Sequence, residues 1–577
     1  MEEREVTGLI RKYVLKNAME YGGTANVASV LGKVLSKEPE LKGDIPGLKE
    51  KIGAEIARVA GIGKGEAERE YREYVAEFES EDKARADASA RHNFELEGAV
   101  RGDFAIRFAP EPSSFMHIGH AKAAFLAREV ANQYGGRNYL YFDDTNPEKE
   151  SQEFVDSIKD SLSWLGITFD DEYYASDYIE DMYGYARRLI EERKAYMCMC
   201  NADRIKELRF KGEACSHRSE TPAENLEGFE KMVRGDFDEG EAILRFVGKM
   251  ESDNTSMRDP MIMRIKKTGH YRKGKKYVVW PSYDFNTPIM DSTHGITDIL
   301  RTKEYELRDE LYVAMLEALR LRIPRTHIQA RLKIKNNVTS KREIKGMIER
   351  GEIEGYSDPR LVTISALRAR GISPIAIKNF VLRFGINRTD SIVDISLLLS
   401  ENKKVVDPTS KRLFYVEDPV KVVVEGLKNS EIKLKLHPTQ EIGYRSYIVG
   451  ETFYISSSDA GQLKKGDMLR LKEAAAIKIT DIRSGTIFAE KIDGAGEGIM
   501  NVQWVSEGNL VDCTIKIPGD LLDSEGKFNA NSMKISTGYV ESYAKELGEG
   551  EVVQFERFGF STFHRKSDPL VFIYLSK

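Results

Sequence analysis

The chain has 577 residues, of which 41% are hydrophobic and 31% charged, and its 87 Lys and Arg against 93 Asp and Glu leave a formal charge of -6. At roughly 150 residues per domain, this length predicts about four domains. The composition excludes a disordered or collagen-like chain, which would be poor in apolar residues or periodic in glycine, and the net charge excludes a nucleic-acid binder of the histone kind.

The sequence gives no sign of a membrane segment. Its apolar runs are far shorter than the ~18 residues that a spanning helix needs, and residues 1–5 lack the apolar stretch of a signal peptide. We therefore predict a cytoplasmic protein without membrane contact. Four cysteines in so long a chain cannot form a disulfide framework, so the three between Cys198 and Cys215 favour a metal site.

Residues 1–95 have a helical pattern. Apolar residues such as Leu9, Ile10 and Tyr13 recur near a 3.6-residue period, which predicts a small all-helical N-terminal appendage. Residues 78–91 are dense in charged residues and alanine, as is typical of an exposed helical connector.

From residue 96 the pattern becomes that of an α/β domain. Val100–Phe108 reads as a strand, Gly119–Ala127 as a helix rich in small residues, and Asn138–Phe142 as a second strand. Strand, turn, helix and strand in this order predict the βαβ unit of a Rossmann-type nucleotide-binding domain, whose first half we assign to residues 96–185.

The rest of the chain divides into regions with different patterns of predicted secondary structure. Residues 186–278 interrupt the α/β pattern as an insertion, residues 279–325 resume it, and residues 326–395 form a mostly helical connector. In residues 396–577, short β runs such as Thr486–Ile492 are separated by Gly, Asp and Ser. Their spacing predicts a pair of all-β barrels.

The segment Pro110–His120, with the sequence PEPSSFMHIGH, lies at the predicted strand-to-helix junction. His117 and His120 flank Gly119 where the helix begins. Unpaired N–H groups and the macrodipole make such a helix end an anion site, and glycine lets a nucleotide approach the backbone. Histidines there can stabilise charge on a reacting phosphate. Taken alone, the motif is equally typical of a helix cap with hydrogen-bonded histidines.

A second segment, Asn337–Arg342, follows a basic strand more than 200 residues later and includes Ser340 and Lys341. A mobile lysine in this loop can reach the β- and γ-phosphates of ATP and neutralise the leaving pyrophosphate. By itself, a Ser-Lys-Arg loop is more often a solvated turn.

Together the two segments resemble the HIGH and KMSKS signatures of class I aminoacyl-tRNA synthetases, the second in a variant form. Nearly the whole chain from about residue 96 onward is similar to the glutamyl/glutaminyl branch in its archaeal and eukaryotic form. The segments that carry this likeness are Arg107–Pro112, Phe142–Pro147, Met257–Pro260 and Pro281–Phe285. One departure is Ser114, where relatives usually have glycine; serine tolerates fewer backbone angles, so we expect a differently shaped turn.

The resemblance implies a ligase that converts L-glutamate and ATP, accompanied by Mg²⁺, to glutamyl-adenylate and transfers the glutamate to the 3′ end of tRNA(Glu). Whether tRNA(Gln) is also charged stays open. The insertion would bind the acceptor end, the β-barrel region would bind the anticodon, and the chain would act as a monomer. Catalysis would rest on His117, His120 and Lys341. The implied ATP-binding residues are Pro110, His117, Gly119, His120, Ser340 and Lys341.

Charge decides which amino acid is expected. By resemblance, Arg107, Asp143 and Tyr283 bind the amino acid's own groups. Arg301 would offer a bidentate fork to a γ-carboxylate, whereas glutamine would leave that buried charge unpaired at a cost of several kcal/mol. Glutaminyl relatives have a small uncharged residue at this position, so Arg301 predicts glutamate. The alternative for Arg301 is an ordinary surface ion pair with a neighbouring carboxylate.

Cys198, Cys200, Cys215 and His217 form two close pairs of soft ligands. Tetrahedral zinc accepts a Cys₃His set, and four protein ligands indicate a structural site. Some relatives have a zinc ion in the inserted domain. The C-x-C spacing is less common than C-x₂-C, and the alternative is three reduced thiols with a surface histidine.

Near the C-terminus, residues 557–566 interleave aromatic and basic side chains, as in sites that stack on unpaired bases; a barrel core with a charged rim is the other interpretation. Two alternatives to the overall assignment remain. A glutaminyl enzyme is opposed by Arg301 and the cysteine cluster. A non-catalytic tRNA-binding descendant of a synthetase is opposed by intact His117, His120 and Lys341.

Overall fold

The computed structural model divides into two compact units, Met1–Asn93 and Phe94–Lys577. The residues that it describes are 3–20, 25–63, 65–75, 77–78, 94–427, 429–493 and 499–577. The charged connector predicted at 78–91 therefore lies, except for residue 78, outside the described residues. Within these ranges, no helix combines the length and the apolar character that crossing a bilayer requires.

The N-terminal unit is built from helices with one apolar face each. These helices are Glu3–Glu20, Val27–Lys37, Ile45–Gly61 and residues 65–75, with a 3-10 turn at Pro39–Asp44. Asn26 caps the second helix by accepting hydrogen bonds from two backbone N–H groups, which satisfies donors that the helix leaves free. The apolar faces meet in one core that contains Ile10, Val14, Val34 and Ile52.

The sheet that positions the site is parallel. Ala105–Phe108, Arg137–Phe142 and Asp171–Tyr174 pair in chain order, and the helices Ile118–Tyr134 and Gln152–Trp164 connect them. The predicted strand–helix–strand unit is therefore present, although the first strand begins only at residue 105. Because the strands are parallel, their carboxyl ends share one edge, where ligands of α/β proteins bind.

A second parallel pair lies beside the first strand. Asp298–Thr302 pairs with Arg325–Gln329, and the N–H of Thr297 donates to the carbonyl oxygen of Ala105 at 2.9 Å. This hydrogen bond aligns the second pair with the strand that precedes the histidine motif. The carboxyl end of Asp298–Thr302 consequently carries Arg301 toward the same edge.

Residues 186–278, together with the strand that follows them, form an antiparallel sheet. Its four strands are, in spatial order, Ala195–Cys198, Ile243–Phe246, Met261–Ile265 and Val279–Pro281. The helices Ala202–Lys211 and Pro222–Arg234 belong to the same segment. Residues 266–278 join the last two strands and form a long hairpin, which we call the insertion hairpin.

Further helices precede the C-terminal region along the chain. Their bounds are Ile179–Glu191, Tyr283–Thr293, Asp309–Leu319, Lys341–Glu349, Ile364–Ala369, Pro374–Leu382 and Ile395–Val406. Ile395–Val406 spans the position at which the sequence pattern placed the start of the β region, and the first C-terminal strand begins at Lys411. A short parallel pair, Leu332–Ile334 with Ser391–Val393, stands ahead of that helix.

The C-terminal region forms two barrel-like sheets of seven strands each. One has the order Lys411–Leu413, Val552–Phe555, Gly559–Arg565, Leu570–Ser576, Leu510–Pro518, Met533–Glu541 and Tyr415–Glu417. The other has the order Met500–Val502, Met468–Leu471, Ala475–Arg483, Thr486–Ile492, Val420–Glu425, Thr452–Ile455 and Val505–Ser506. A separate hairpin pairs Ser430–Lys435 with Tyr444–Val449, and a short helix lies at Ser457–Ala460.

Two aromatic residues near the C-terminus do not form the base-stacking surface that the sequence pattern allowed. Phe560 and Phe563 are fully buried, and Phe563 packs against Phe572 with ring centroids 5.1 Å apart. Phe563 lies in the barrel core, whereas Phe560 packs into the core that includes the connector helices. Neither buried ring can stack on a nucleotide base, and the barrel-core interpretation is correct for Phe563.

Candidate active site

The two histidines of the motif cap their own helix. The Nδ1 of His117 accepts from the N–H of Gly119 at 3.0 Å, and the Nδ1 of His120 accepts from the N–H of His117 at 3.2 Å. The imidazole rings stack with centroids 3.9 Å apart. Because each Nδ1 is an acceptor, the proton of each neutral ring resides on Nε2, which remains a donor for a ligand.

Burial keeps both rings neutral. It lowers the pKa of His120 to about 4. Burial and the neighbouring ring of His120 hold the pKa of His117 well below its usual value. At neutral pH the pair can therefore donate hydrogen bonds to phosphate oxygens without carrying a positive charge.

The helix end requires glycine at residue 119 but not at residue 114. A Cβ on Gly119 would lie 2.8 Å from the Cε1 of His117, so glycine is required for the ring to fold over the helix end. Ser114, in contrast, does not adopt a positive φ. This turn therefore needs no glycine at residue 114, and the substitution relative to the family pattern introduces no backbone strain.

Lys341 is the first residue of the helix Lys341–Glu349 rather than part of a loop, and Ser340 is its N-cap residue. Its Nζ donates to the carbonyl oxygen of Ser113 in the histidine motif and lies 4.5 Å from the centroid of the Phe154 ring. Partial burial lowers the pKa of this amine. The lysine and the histidine motif, more than 200 residues apart in sequence, are thus in direct contact.

A cavity of about 430 Å³ brings most of the predicted ligand-binding residues together; its lining includes Arg107, Pro110, His117, Gly119, His120, Tyr283 and Arg301. Asp143 instead lines a second cavity of about 290 Å³, and Tyr283 and Tyr305 belong to the walls of both. Ser340 adjoins Thr339, which is a wall residue of the larger cavity. The two cavities are neighbours with a common wall.

Arg107 is held by a partner that the sequence motifs did not reveal. Its Nε and Nη2 donate to the two carboxylate oxygens of Asp291 at 2.9 and 3.1 Å, and both side chains are buried. Tyr312 donates to the same carboxylate at 3.1 Å. This bidentate pair fixes the guanidinium plane before any ligand arrives.

Arg301 is buried rather than a surface residue, with 2% of its side chain exposed. Its Nη1 donates to Asp309 at 2.8 Å, and its guanidinium lies 4.1 Å from the centroid of the Tyr312 ring. The Nε has no hydrogen-bond partner among the described residues. The guanidinium therefore has donor capacity to spare at the cavity wall.

Asp143 is a buried carboxyl in an acidic neighbourhood. It accepts a hydrogen bond from the amide of Asn286 at 2.8 Å, and its own N–H donates to the carbonyl oxygen of Pro110. Burial, reinforced by the nearby carboxylates of Glu111 and Asp144, raises the pKa of Asp143 to about 7. A cation that enters this cavity would lower that pKa and be bound in return.

Cys198, Cys200, Cys215 and His217 come together as predicted, with their ligand atoms within 4.8 Å of one another. The sulfurs of Cys198 and Cys215 are 3.7 Å apart, and the Cys200 sulfur is 3.6 Å from the Nδ1 of His217. Ligands at about 2.3 and 2.1 Å from a tetrahedral zinc ion stand about 3.6 to 3.8 Å apart. The donor set and its spacing therefore fit zinc.

Arg245 supports a negatively charged centre at this cluster. Its Nη1 lies 3.9 Å from the sulfur of Cys198 and 3.8 Å from that of Cys215, and the side chain is almost completely buried. Zinc with three thiolates carries one net negative charge. A buried guanidinium beside the sulfurs offsets that charge.

Sequence reasoning missed Asn286 and Asp291. Both are buried polar residues in the helix Tyr283–Thr293, directly after the motif that contains Tyr283. Polar residues that face a protein core are usually paired. The available signal was their proximity in sequence to that motif.

Comparisons with known proteins agree with this geometry. The sequence model described as tRNA synthetases class I (E and Q), catalytic domain, matches residues 103–407. Two models described as anti-codon binding domains of the same family match residues 410–493 and 501–564.

The chain is also similar to curated proteins over nearly its full length. The glutamate–tRNA ligase of Nitrosopumilus maritimus is 38% identical over 97% of both chains. That of Cenarchaeum symbiosum is 36% identical over 96% of this chain and 97% of the relative, and that of Pyrococcus furiosus is 35% identical over 99% of this chain and all of the relative. The chain therefore belongs to the E and Q family of class I tRNA synthetases.

Proposed function

We propose that the chain is a glutamate–tRNA ligase, which activates L-glutamate with ATP and transfers it to the 3′ end of tRNA(Glu). The observation that carries this proposal is one cavity that places a buried guanidinium, Arg301, near the histidine-capped helix end. Relatives that bear this name align with this chain from end to end. The helix end suits a triphosphate, and the guanidinium suits a second, side-chain carboxylate.

The first step needs little from the protein beyond positioning and charge stabilisation. The α-carboxylate of glutamate attacks the α-phosphorus of ATP, and the bond to the β-phosphate oxygen breaks to release pyrophosphate. His117 and His120 donate to oxygens of the reacting phosphate, while Lys341 neutralises the departing pyrophosphate. Pro110, Gly119 and Ser340 complete the ATP-binding set. Mg²⁺ would accompany ATP and neutralise part of its charge.

Glutamate would lie between two arginines. We assign its side-chain carboxylate to Arg301 and its own charged groups to Arg107, Asp143 and Tyr283. Tyr283 stands in the wall common to both cavities, so a single amino acid can contact residues of each. In the second step, the terminal ribose of tRNA takes the glutamyl group from the phosphate and releases AMP.

The domain roles follow the same plan. We assign residues 96–185 and 279–325 to the two halves of a Rossmann-type catalytic domain, 186–278 to binding of the acceptor end, and 326–395 to a connector. Residues 396–577 would bind the anticodon as a double barrel, and residues 1–95 would be a helical appendage. The matches to anti-codon binding domains support the assignment for the C-terminal region. We expect a monomer.

An aminoacylation assay tests the function. Purified full-length chain, ATP and Mg²⁺ are incubated with labelled glutamate or labelled glutamine on transcripts of tRNA(Glu) and of tRNA(Gln). We expect tRNA(Glu) to be charged with glutamate and not with glutamine. The reactions with tRNA(Gln) show whether that tRNA is also a substrate. Charging with glutamine, or no charging at all, would contradict the assignment.

The raised pKa of Asp143 predicts a pH dependence. A protonated, neutral carboxyl attracts the ammonium group of glutamate only weakly, so kcat/KM for glutamate should fall as the pH drops through the pKa of about 7. Between about pH 8 and about pH 6 the ionised fraction falls roughly tenfold, and kcat/KM should follow. His117 and His120 stay neutral throughout this range. D143N should abolish this decrease in kcat/KM at low pH. A wild-type kcat/KM that does not change with pH would refute the role of Asp143.

We also propose a structural zinc ion in the insertion, held by Cys198, Cys200, Cys215 and His217. Bound there, the metal would join the end of the strand Ala195–Cys198 to the 3-10 turn Ser216–Ser219. The sulfur spacing and the nearby Arg245 support this proposal.

Metal analysis tests the zinc site with a built-in control. We expect about one zinc ion per chain for the wild type, and C215S should lose the metal and melt at a lower temperature because zinc ties two segments together. C513S removes the remaining cysteine, which is buried in the C-terminal β region, and should keep the metal. Less than about a tenth of an equivalent, in protein purified without chelators, would remove the site.

A further inference from the structure

The insertion hairpin, residues 266–278, ends in a tight tip. The N–H of His270 donates to the carbonyl oxygen of Gly274 at 2.8 Å, and the N–H of Gly274 returns a bond of equal length. The tip contacts the segment that follows the strand Arg137–Phe142. We call that segment, residues 143–150, the acid loop.

The acid loop brings several carboxyl groups together in a poorly solvated place. Asp144 and Glu150 are buried, and Asp143, in the wall of the smaller cavity, lies within the same eight residues of chain. One carboxylate oxygen of Glu150 accepts from the N–H of Asn146 at 2.8 Å, while the other has no hydrogen-bond partner in the described part of the chain. Burial raises the pKa of all three carboxyl groups, and the neighbouring carboxylates raise those of Asp143 and Glu150 further. The folded form of this loop therefore depends on donors that other segments supply.

The hairpin tip supplies two of those donors to one residue. The Nε2 of His270 donates to the backbone carbonyl oxygen of Asp144 at 3.1 Å, and the hydroxyl of Tyr271 donates to its carboxylate at 3.0 Å. The Nδ1 of His270 accepts from the N–H groups of Arg272 and Lys273, each at 3.2 Å. An accepting Nδ1 leaves the ring proton on Nε2, so the bond to Asp144 has a defined direction.

A second layer holds the same carboxylate. The N–H and the hydroxyl of Ser176 both donate to Asp144 at 2.8 Å, and Arg272 of the hairpin donates to the Ser176 hydroxyl at 3.0 Å. The backbone oxygen and both carboxylate oxygens of Asp144 are thus occupied. Because Asp143 is the preceding residue in the chain, a fixed Asp144 also restricts where the Asp143 carboxylate can lie.

We propose that His270 and Tyr271 are positioning residues for the amino-acid site, which hold Asp143 in place by fixing Asp144. The inference rests on the proposed function, because Asp143 is a glutamate ligand only in that account. Neither residue touches the larger cavity, so their effect should appear in the affinity for glutamate and not in that for ATP.

The first test is Tyr271→Phe, which removes one hydroxyl and keeps the ring. The matched control is Tyr183→Phe, because Tyr183 also donates from a buried hydroxyl, at 2.8 Å to the carbonyl oxygen of Val279, but does not contact the acid loop. In the full-length enzyme, Y271F should raise the KM for glutamate about 3- to 30-fold, with the KM for ATP and kcat within about twofold. Y183F should leave all three unchanged.

The second test separates the two bonds of the histidine ring. Asn at residue 270 can keep an acceptor near the Nδ1 position but loses the donor to Asp144, whereas Gln places an amide N–H near the Nε2 position. We expect H270N to raise the KM for glutamate as Y271F does, and H270Q to lie nearer the wild type. Melting temperatures of all variants report any general loss of stability.

Failure of this inference and failure of the function have different signatures. If D143N raises the KM for glutamate while Y271F and H270N leave it unchanged, the hairpin is not a positioning device, although the proposed site stands. If the KM values for glutamate and ATP rise together, the hairpin contributes only to folding. If D143N itself has no effect, the assignment of Asp143 is wrong.

Discussion

Replacing Lys341 with alanine should lower the rate of glutamyl-adenylate formation by about 10²- to 10³-fold while the KM for ATP changes little. The ammonium group contacts Ser113 of the histidine motif, and in the proposed function it neutralises the charge that develops as pyrophosphate leaves. An interaction that strengthens in the transition state affects kcat more than substrate binding. Single-turnover measurement of adenylate formation, in the presence of tRNA, reports this step directly.

Lys345→Ala is the matched control for that experiment. Lys345 lies one turn further along the same helix, is largely exposed and pairs only weakly with Glu349 at 3.7 Å. It should retain the wild-type rate. Equal losses in the K341A and K345A variants would show that the helix contributes general charge and that Lys341 has no specific role.

The second large effect is expected at Arg301. Removing a buried cation that binds a carboxylate costs about 2 to 5 kcal/mol, so Arg301→Ala should raise the KM for glutamate about 30- to 5,000-fold. R301K keeps the charge but loses the planar fork, and it should fall between the wild type and R301A. The KM for ATP should remain within a few-fold of the wild type in both variants.

Arg325→Ala is the control that separates the affinity for glutamate from the stability of the fold. Arg325 pairs with Asp298 at 2.7 Å on the neighbouring strand, and it is not part of the cavity wall. Its loss should lower the melting temperature without changing the KM for glutamate.

If R301A raised the KM values for glutamate and ATP by the same factor, the side-chain carboxylate would have to bind elsewhere.

Local patterns predicted the parts of the site that lie close together in sequence. The strand–turn–helix around Pro110–His120 follows from alternation, a proline-rich break and small residues. The capping by His117 and His120 then places both rings at one helix end. The Cys and His ligands were likewise predictable, because two short pairs of ligands define a metal cluster almost independently of the fold.

Long-range partners were not predictable in the same way. Arg107 and Asp291 are 184 residues apart, and no spacing rule connects them. Lys341 was expected in a loop but begins a helix, and Ser340 followed by Glu343 matches the serine-x-x-glutamate pattern that marks a helix start. Phe560 and Phe563 lie in a strand that is buried throughout residues 559–563, so no alternation distinguishes a core face from a surface.

In the proposed function, one cavity binds the reacting phosphate at the histidine-capped helix end and the glutamate side chain at Arg301. A crystal structure of the full chain with a non-hydrolysable glutamyl-adenylate analogue tests it most directly. We predict the γ-carboxylate within about 3 Å of the Arg301 guanidinium and the phosphate mimic beside His117 and His120. A γ-carboxylate bound to other residues, with Arg301 still paired to Asp309 alone, would contradict the account.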